Sequence, residues 1–266
     1  MILAVRTAIA FLVGGGFIAI VSLLAERADK RTAGLILSLP STSAIGLFFV
    51  GWTVSPHAVM DFAFGFPTAG GACYLFAVVY VYAAQWLRGN SFPRILLCML
   101  IACIAWMALS LPMILMPRQP ILLSIGIWGV YVLSAHYFLA IRPKAETAPV
   151  TIHFTGREIL FRSIIAGTLI ASVVVLSMKL GPLWGGLMSA FPAAISSTLL
   201  IVHRAHEPKF LFHIMRMMPA AAPVFVIYVF LAAWTFPRIG VIWGTAVTYV
   251  VSVCFLLAVH KLTRKG

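Results

Sequence analysis

Groups able to carry chemistry are scarce in this sequence. Of its 266 residues six are acidic: Glu26, Asp29, Asp61, Glu146, Glu158 and Glu207. Asp61 alone falls inside a long apolar stretch, and His57 stands four residues before it. On a helix that spacing puts both on one face, where an acid and an imidazole can pass a proton or hold a cation. Later in the chain His213 precedes Arg216 by three residues. That pair could draw an anion into a vestibule, or Arg216 could snorkel to headgroups. Two hydroxyl-rich stretches surround prolines. One is Ser38-Leu39-Pro40-Ser41-Thr42-Ser43; the other runs from Ser189 through Phe191 and Pro192 to Ser196, Ser197 and Thr198. Proline lacks an N–H and frees the carbonyl four residues earlier. In an apolar medium that carbonyl needs a partner. Such a break therefore either lines a polar path or packs on a neighbouring helix.

Other chemistries find little footing. His203, His206 and Glu207 are ligand types, but Arg204 lies among them and no further cluster accompanies them. A basic membrane-surface loop is the better reading, and no metal is expected. His136, beside Tyr137, reads as a packed or hydrogen-bonded side chain. Cys73, Cys98, Cys103 and Cys254 form no CxxC, so neither a zinc site nor a disulfide framework is indicated. There is no HExxH, GxSxG or P-loop, and no carboxylate pair at catalytic spacing in the apolar stretches. Neither an enzyme nor a cofactor is expected.

The elements that must position these groups are membrane helices. The chain is 62% hydrophobic and 9% charged, whereas a soluble domain is roughly one quarter charged. Its net charge of +13 comes from only 19 basic residues. Cytoplasmic Lys and Arg account for that better than nucleic-acid binding does. Nine segments are long and apolar enough to cross: roughly 4–25, 33–53, 58–86, 94–116, 120–141, 158–180, 183–203, 210–235 and 239–260. The turn Met116–Pro120 is short enough that 94–141 could be read differently, but two prolines around Arg118 favour a turn. The first segment reads as a membrane helix rather than a cleaved leader. Alternating sides nine times puts 15 of the basic residues on one face and four, Arg6, Arg118, Lys179 and Arg238, on the other. Positive residues stay inside, so the N-terminus is expected outside and the C-terminus in the cytoplasm. Trp52, Trp86, Trp184 and Trp234 fall near helix ends, as an interfacial belt requires. The basic clusters at 27–31 and 142–162 read as topology determinants.

A shift of 152 residues aligns Pro40 with Pro192, Pro56 with Pro208 and Pro67 with Pro219. No gap is needed between 34 and 80, and 8 of 47 positions are identical. The chain therefore reads as two four-helix copies, 4–116 and 158–260, with 120–141 between them. As domains these are 1–117, a linking helix and loop over 118–157, and 158–266. One extra span turns the second copy over. Inverted repeats are a common plan of secondary transporters. Gly65, Thr68, Gly70, Gly71, Cys73 and Tyr74 surround Pro67, with Met217, Met218, Pro223 and Tyr228 around Pro219; helix packing is the plainer use of Gly70 and Gly71.

The stretch Ala33-Gly34-Leu35-Ile36-Leu37-Ser38-Leu39-Pro40, followed by Ala44, Val50-Gly51, Phe64-Gly65 and Pro67, resembles the GlpM-type family of small bacterial inner-membrane proteins. The second copy keeps Gly185-Gly186-Leu187 and Phe191-Pro192, with His203 and Met217 where the first has Gly51 and Gly65. The resemblance covers 34–80 and implies an integral membrane fold, here as a tandem duplication. It brings no catalytic residues.

The function expected from these features is movement of a small neutral or anionic solute across the bacterial inner membrane by a multi-pass carrier. Pro40, Ser41, Thr42, Ser43, Pro192, Ser196, Ser197 and Thr198 would line the path. His57 with Asp61, and His213 with Arg216, would flank it. A narrow ion channel and a non-transporting accessory subunit of an envelope-assembly complex are the other classes. The expected partners are the solute or ion and the lipid bilayer, with no nucleic acid; oligomeric state is left open.

Overall fold

The computed structural model is all-helical and describes residues 2–27, 39–116, 119–143, 155–216 and 218–263. The front of the second expected span (33–38), Pro117 and Arg118, the basic loop over 144–154, and Met217 lie outside the described residues. The helices are α1 (Ile2–Arg27), α2 (Ser41–Thr53), α3 (Met60–Ala63), α4 (Phe66–Leu87), α5 (Phe92–Leu115), α6 (Ile121–His136), α7 (Gly156–Leu180), α8 (Pro182–Ser189), α9 (Ala193–Ala205), α10 (Phe210–Met215) and α11 (Ala222–Thr263). A 3₁₀ turn, Pro56–Val59, leads into α3, and another, Met218–Ala221, leads into α11. Tyr137–Ile141 continues α6 as a π turn.

Among the described residues seven helical segments are long and apolar enough to cross a membrane. The last runs from Phe210 to Ala258 and is too long for one crossing. It doubles back at Gly240, whose φ of 77° suits a residue without a side chain. The Thr235 and Thr248 hydroxyls lie 3.2 Å apart, and the Tyr228 and Tyr249 rings meet edge-on, so the two arms of α11 run antiparallel. The interval 94–141 resolves into two helices, α5 and α6, as the prolines suggest. The expected third span differs: it is built from Pro56–Val59, α3 and α4, because Gly65 and Pro67 interrupt the helix.

α4 is the central helix and the most buried of the long ones. Phe66, Phe76 and Tyr80 on it are fully buried, and α5 and α6 pack along its sides. The packing reading of the two glycines holds: Gly70 lies against the Phe225 ring, and Gly71 against the Trp128 backbone. Leu12, Leu100, Leu122 and Ile242 point outward from four different helices, an apolar surface compatible with lipid.

The most extensive helix pair joins α1 to α7. A Cβ at Gly15 would lie 2.8 Å from the Ser163 carbonyl oxygen; one at Gly167 would lie 2.7 Å from that of Phe11. Gly15 and Gly167 are 152 apart, and so are Phe11 and Ser163. The contact is thus reciprocal, as in a two-fold interface. Towards the start of α1, Leu3 and Thr7 share a groove of about 710 Å³ with Val175 and Lys179, so the helices run antiparallel.

The same offset recurs along the backbone. α2 and α9 are each 13 residues long, in register at 152. The Ala58 N–H donates to Ser55 O at 3.0 Å, and its counterpart, the Phe210 N–H, donates to Glu207 O at 2.9 Å. Arg88 and Gly240, again 152 apart, both have positive φ.

The close approach at Gly15 makes a steric prediction. Gly15→Leu or Gly167→Leu should force α1 from α7 and lower stability by roughly 1–3 kcal/mol, the usual cost of overpacking. At Gly16 an added Cβ would meet nothing within 4 Å, so Gly16→Leu should be close to neutral. Thermal unfolding in detergent would read both; equal losses at 15 and 16 would contradict the close approach.

Candidate functional site at the paired proline breaks

Pro40 and Pro192 adopt the same conformation, φ −75° and ψ 53° against φ −79° and ψ 58°. Both are inverse γ-turns. The Ser41 N–H donates to Leu39 O at 2.7 Å, and the Ala193 N–H to Phe191 O at 2.8 Å. One turn on, the Ala44 N–H donates to Pro40 O and the Ser196 N–H to Pro192 O. Each proline thereby starts a new helix in the protein interior, and Pro192 also follows the end of α8.

Side chains at the two breaks differ. At the first, Ser41, Thr42 and Ser43 are all buried. The Ser41 hydroxyl approaches Leu39 O at 3.3 Å and stands 3.5 Å from the Tyr249 hydroxyl. Tyr249 in turn packs edge-on against Tyr228 and Phe17. At the second break, Pro192, Ser196 and Ser197 are buried and Thr198 is half-buried. Ser196 donates to Pro192 O; Ser197 and Thr198 donate to Ala194 O. The Cys73 thiol reaches across from α4 and donates to Ala190 O at 2.8 Å. This satisfies a carbonyl just before the proline, as an apolar setting requires. Phe191 packs edge-on between Phe76 and Trp106.

The basic residues taken together count Arg162 with the 142–162 cluster, and the structure places it on a helix with its side chain buried. It sits on the second turn of α7, only 4% exposed, and its guanidinium donates to the Thr198 hydroxyl at 2.7 Å. Glu158, four residues earlier, is instead engaged in the capping box that starts α7: its carboxylate accepts from the Thr155 N–H at 2.7 Å. A sequence signal for Arg162 does exist, since it falls inside an apolar run, where a charge is functional by default.

The flanking pairs are less concentrated. His57 and Asp61 are both exposed and lie on separate elements, the Pro56–Val59 turn and α3. The two elements follow each other without a gap, and among the described residues no hydrogen bond or ion pair joins the two side chains. His213 and Arg216 are half-buried at the end of α10. The His213 ring stacks on Phe210, which faces His206 at 4.3 Å between centroids.

The residues weighed as metal ligands diverge. His203 is fully buried, and its Nδ1 lies 3.0 Å from the Tyr80 hydroxyl; His206 and Glu207 are exposed. Sequence reasoning also misses a buried network in which Gln119 donates to the Thr68 hydroxyl at 3.1 Å, with the Ser124 hydroxyl 3.2 Å from it. It fastens α6 to α4. Compared with known protein families, curated proteins and solved structures, the chain finds no match.

Hydrogen bonds to charged groups contribute about 1.5–3 kcal/mol. Thr198→Val should therefore destabilise the native chain by about that amount and cost far less in an Arg162→Met background. Unfolding free energies for the four members of this cycle would check it. Equal costs in both backgrounds would mean that the two side chains do not cooperate.

Proposed function

We propose that this protein is a carrier of a small neutral or anionic solute in the bacterial cytoplasmic membrane. It would work between two four-helix halves inverted with respect to each other. The nine crossings would be α1, the segment ending in α2, the run from Pro56 to Leu87, α5, α6, α7, α8 with α9, and the two arms of α11, the first with α10 ahead of it. The N-terminus would lie outside and the C-terminus inside, following the basic residues. In this reading the chain is a duplicated and inverted GlpM-like unit.

The observation that carries the reading is the match of the two proline breaks. Backbone angles, hydrogen bonds and following helix lengths agree at a fixed offset of 152 residues. Interrupted helices at corresponding places in two halves are the usual setting of a midplane binding site. The antiparallel, reciprocal contact of α1 and α7 supports inversion. Solute charge is argued from what surrounds the breaks. α9 begins at Pro192 with the positive end of its dipole, and buried Arg162 reaches Thr198. Asp61 and Glu207 are exposed and Glu158 is held in its cap, so these carboxylates do not favour a cation.

One observation favours a second reading. Ser196, Ser197 and Thr198 donate to carbonyls of their own helix. Hydroxyls satisfied in that way can belong to dry kinks, and a protein with dry kinks would serve as an accessory subunit rather than a carrier.

Cysteine accessibility separates the two. Single cysteines at Ser41, Ser43, Ser196 and Ser197, with the four native cysteines replaced, would be treated with a membrane-impermeant thiol reagent from each side. A carrier predicts labelling at these buried positions that moves from one face to the other with conditions. Absence of labelling from both faces would contradict transport and bring the accessory role forward.

A further inference from the structure

Among the described residues, one imidazole besides the Arg162 guanidinium is withdrawn from solvent within the spans. His203 is 0% exposed. Its Nδ1 is engaged with the Tyr80 hydroxyl at 3.0 Å, and the two rings meet edge-on at 5.7 Å. Its Nε2 is buried and, among the described residues, makes no hydrogen bond within 3.5 Å. Buried polar atoms are normally satisfied, so this one asks for an explanation. A neutral imidazole carries one N–H and one lone pair, so with the Tyr80 phenol at Nδ1 and the Gly89 carbonyl also facing the ring, one nitrogen still holds a lone pair. A proton needs no cavity, and that lone pair is where it would bind. Water is close at hand. His203 lies two residues before the end of α9, next to the turn where Asn90 donates to His206 O at 2.9 Å on the exposed surface.

Among the described residues the neighbours offer a proton no anion to pair with. α4 contributes the Tyr80 phenol, and behind it α5 contributes the Cys98 thiol. The turn between them contributes the Gly89 carbonyl. On α9 itself Arg204 and, just beyond its end, Glu207 are exposed, and Arg162 of α7 meets that helix at Thr198, more than a turn away. α10 contributes His213, which reaches His206 only through Phe210. An imidazolium buried here without a counter-ion is costly. The protonated chain would therefore favour any conformation that brings the ring to water. The bond that must give way joins Tyr80 of the first half to His203 of the second.

From this geometry we infer that His203 is the proton-binding group of the carrier, coupling proton uptake to movement of one half against the other. Binding forms one N–H bond from the lone pair of the neutral ring, with the proton taken from cytoplasmic water and returned there or to the other side. The inference rests on the carrier reading above and moves the coupling role away from His57 and Asp61.

The test uses the full chain in lipid vesicles, with pH as the only variable. Labelling of Ser197→Cys from each face is followed between about pH 5 and 8, the range in which an imidazole changes charge. It is compared with the same protein carrying His203→Gln or Tyr80→Phe. Nitrogen-15 histidine spectra of the otherwise unaltered chain report the protonation of His203 independently of any substitution. The expected result is a severalfold pH-dependent change in labelling that goes flat in His203→Gln, with His203 titrating over the same interval. Labelling that is present but flat with pH, a pH response that survives His203→Gln, or a His203 that stays neutral throughout would each overturn this inference and leave the carrier reading standing. Absence of labelling at every pH would overturn the carrier reading and this inference with it.

Discussion

Two helices from distant parts of the chain meet where neither has a side chain. Gly15 and Gly167 let α1 and α7 approach until each faces a carbonyl of the other, Ser163 and Phe11 respectively. In lipid there is little hydrophobic drive between helices, so close van der Waals packing over small residues does much of the joining. This contact maps onto itself when the two helices are exchanged. It therefore fixes how the first half sits on the second. α2 then packs against α1, α7 and α8, and its Gly46 lies against Ser189 of α8.

From that arrangement follow two breaks alike in backbone and unlike in side chain. Around Pro40 stand hydroxyls, Ser41 with Tyr249 and Tyr228 behind it. Around Pro192 stand Arg162, Cys73 and a group of aromatic rings. A proline in a membrane helix creates a local demand for hydrogen-bond partners, whatever residues surround it. The two halves meet that demand with different chemistry. The two breaks thus share a backbone frame and differ in what lines it.

The prolines are legible from sequence because proline has one backbone consequence wherever it occurs. Pro40, Pro192, Pro67 and Pro219 each lie next to the first residue of a helical segment, and the offset they define holds for helix lengths and hydrogen bonds. Gly15 and Gly167 obey the same offset but lie outside the 34–80 window in which the copies align. Glycine is too frequent in membrane helices for one pair to stand out. Arg162 is hidden by its company: Arg157 and the basic loop make it look like one more topology signal. Its burial depends on how far α7 extends, which hydropathy does not fix to within a turn. Tyr80 and His203 could not have been paired, because periodicity is silent where lipid-facing and buried positions are both apolar. Gly65 and Pro67 divide the expected third helix after Ala63, while His57 and Asp61 stand on the short 3₁₀ and α turns ahead of that break.

Inversion of the halves is the claim on which the rest depends, and it has a direct geometric consequence. His57 and Lys209 are 152 residues apart, both exposed, and each lies just after the proline that follows α2 or α9. Single cysteines placed there, by His57→Cys and Lys209→Cys in a chain without its native cysteines, can be labelled in sealed right-side-out and inside-out vesicles with an impermeant reagent. Inverted halves predict reaction from opposite faces, His57→Cys from outside and Lys209→Cys from the cytoplasmic side. Reaction of both from the same face would mean that the halves are parallel, and the carrier proposal would lose the inversion it rests on.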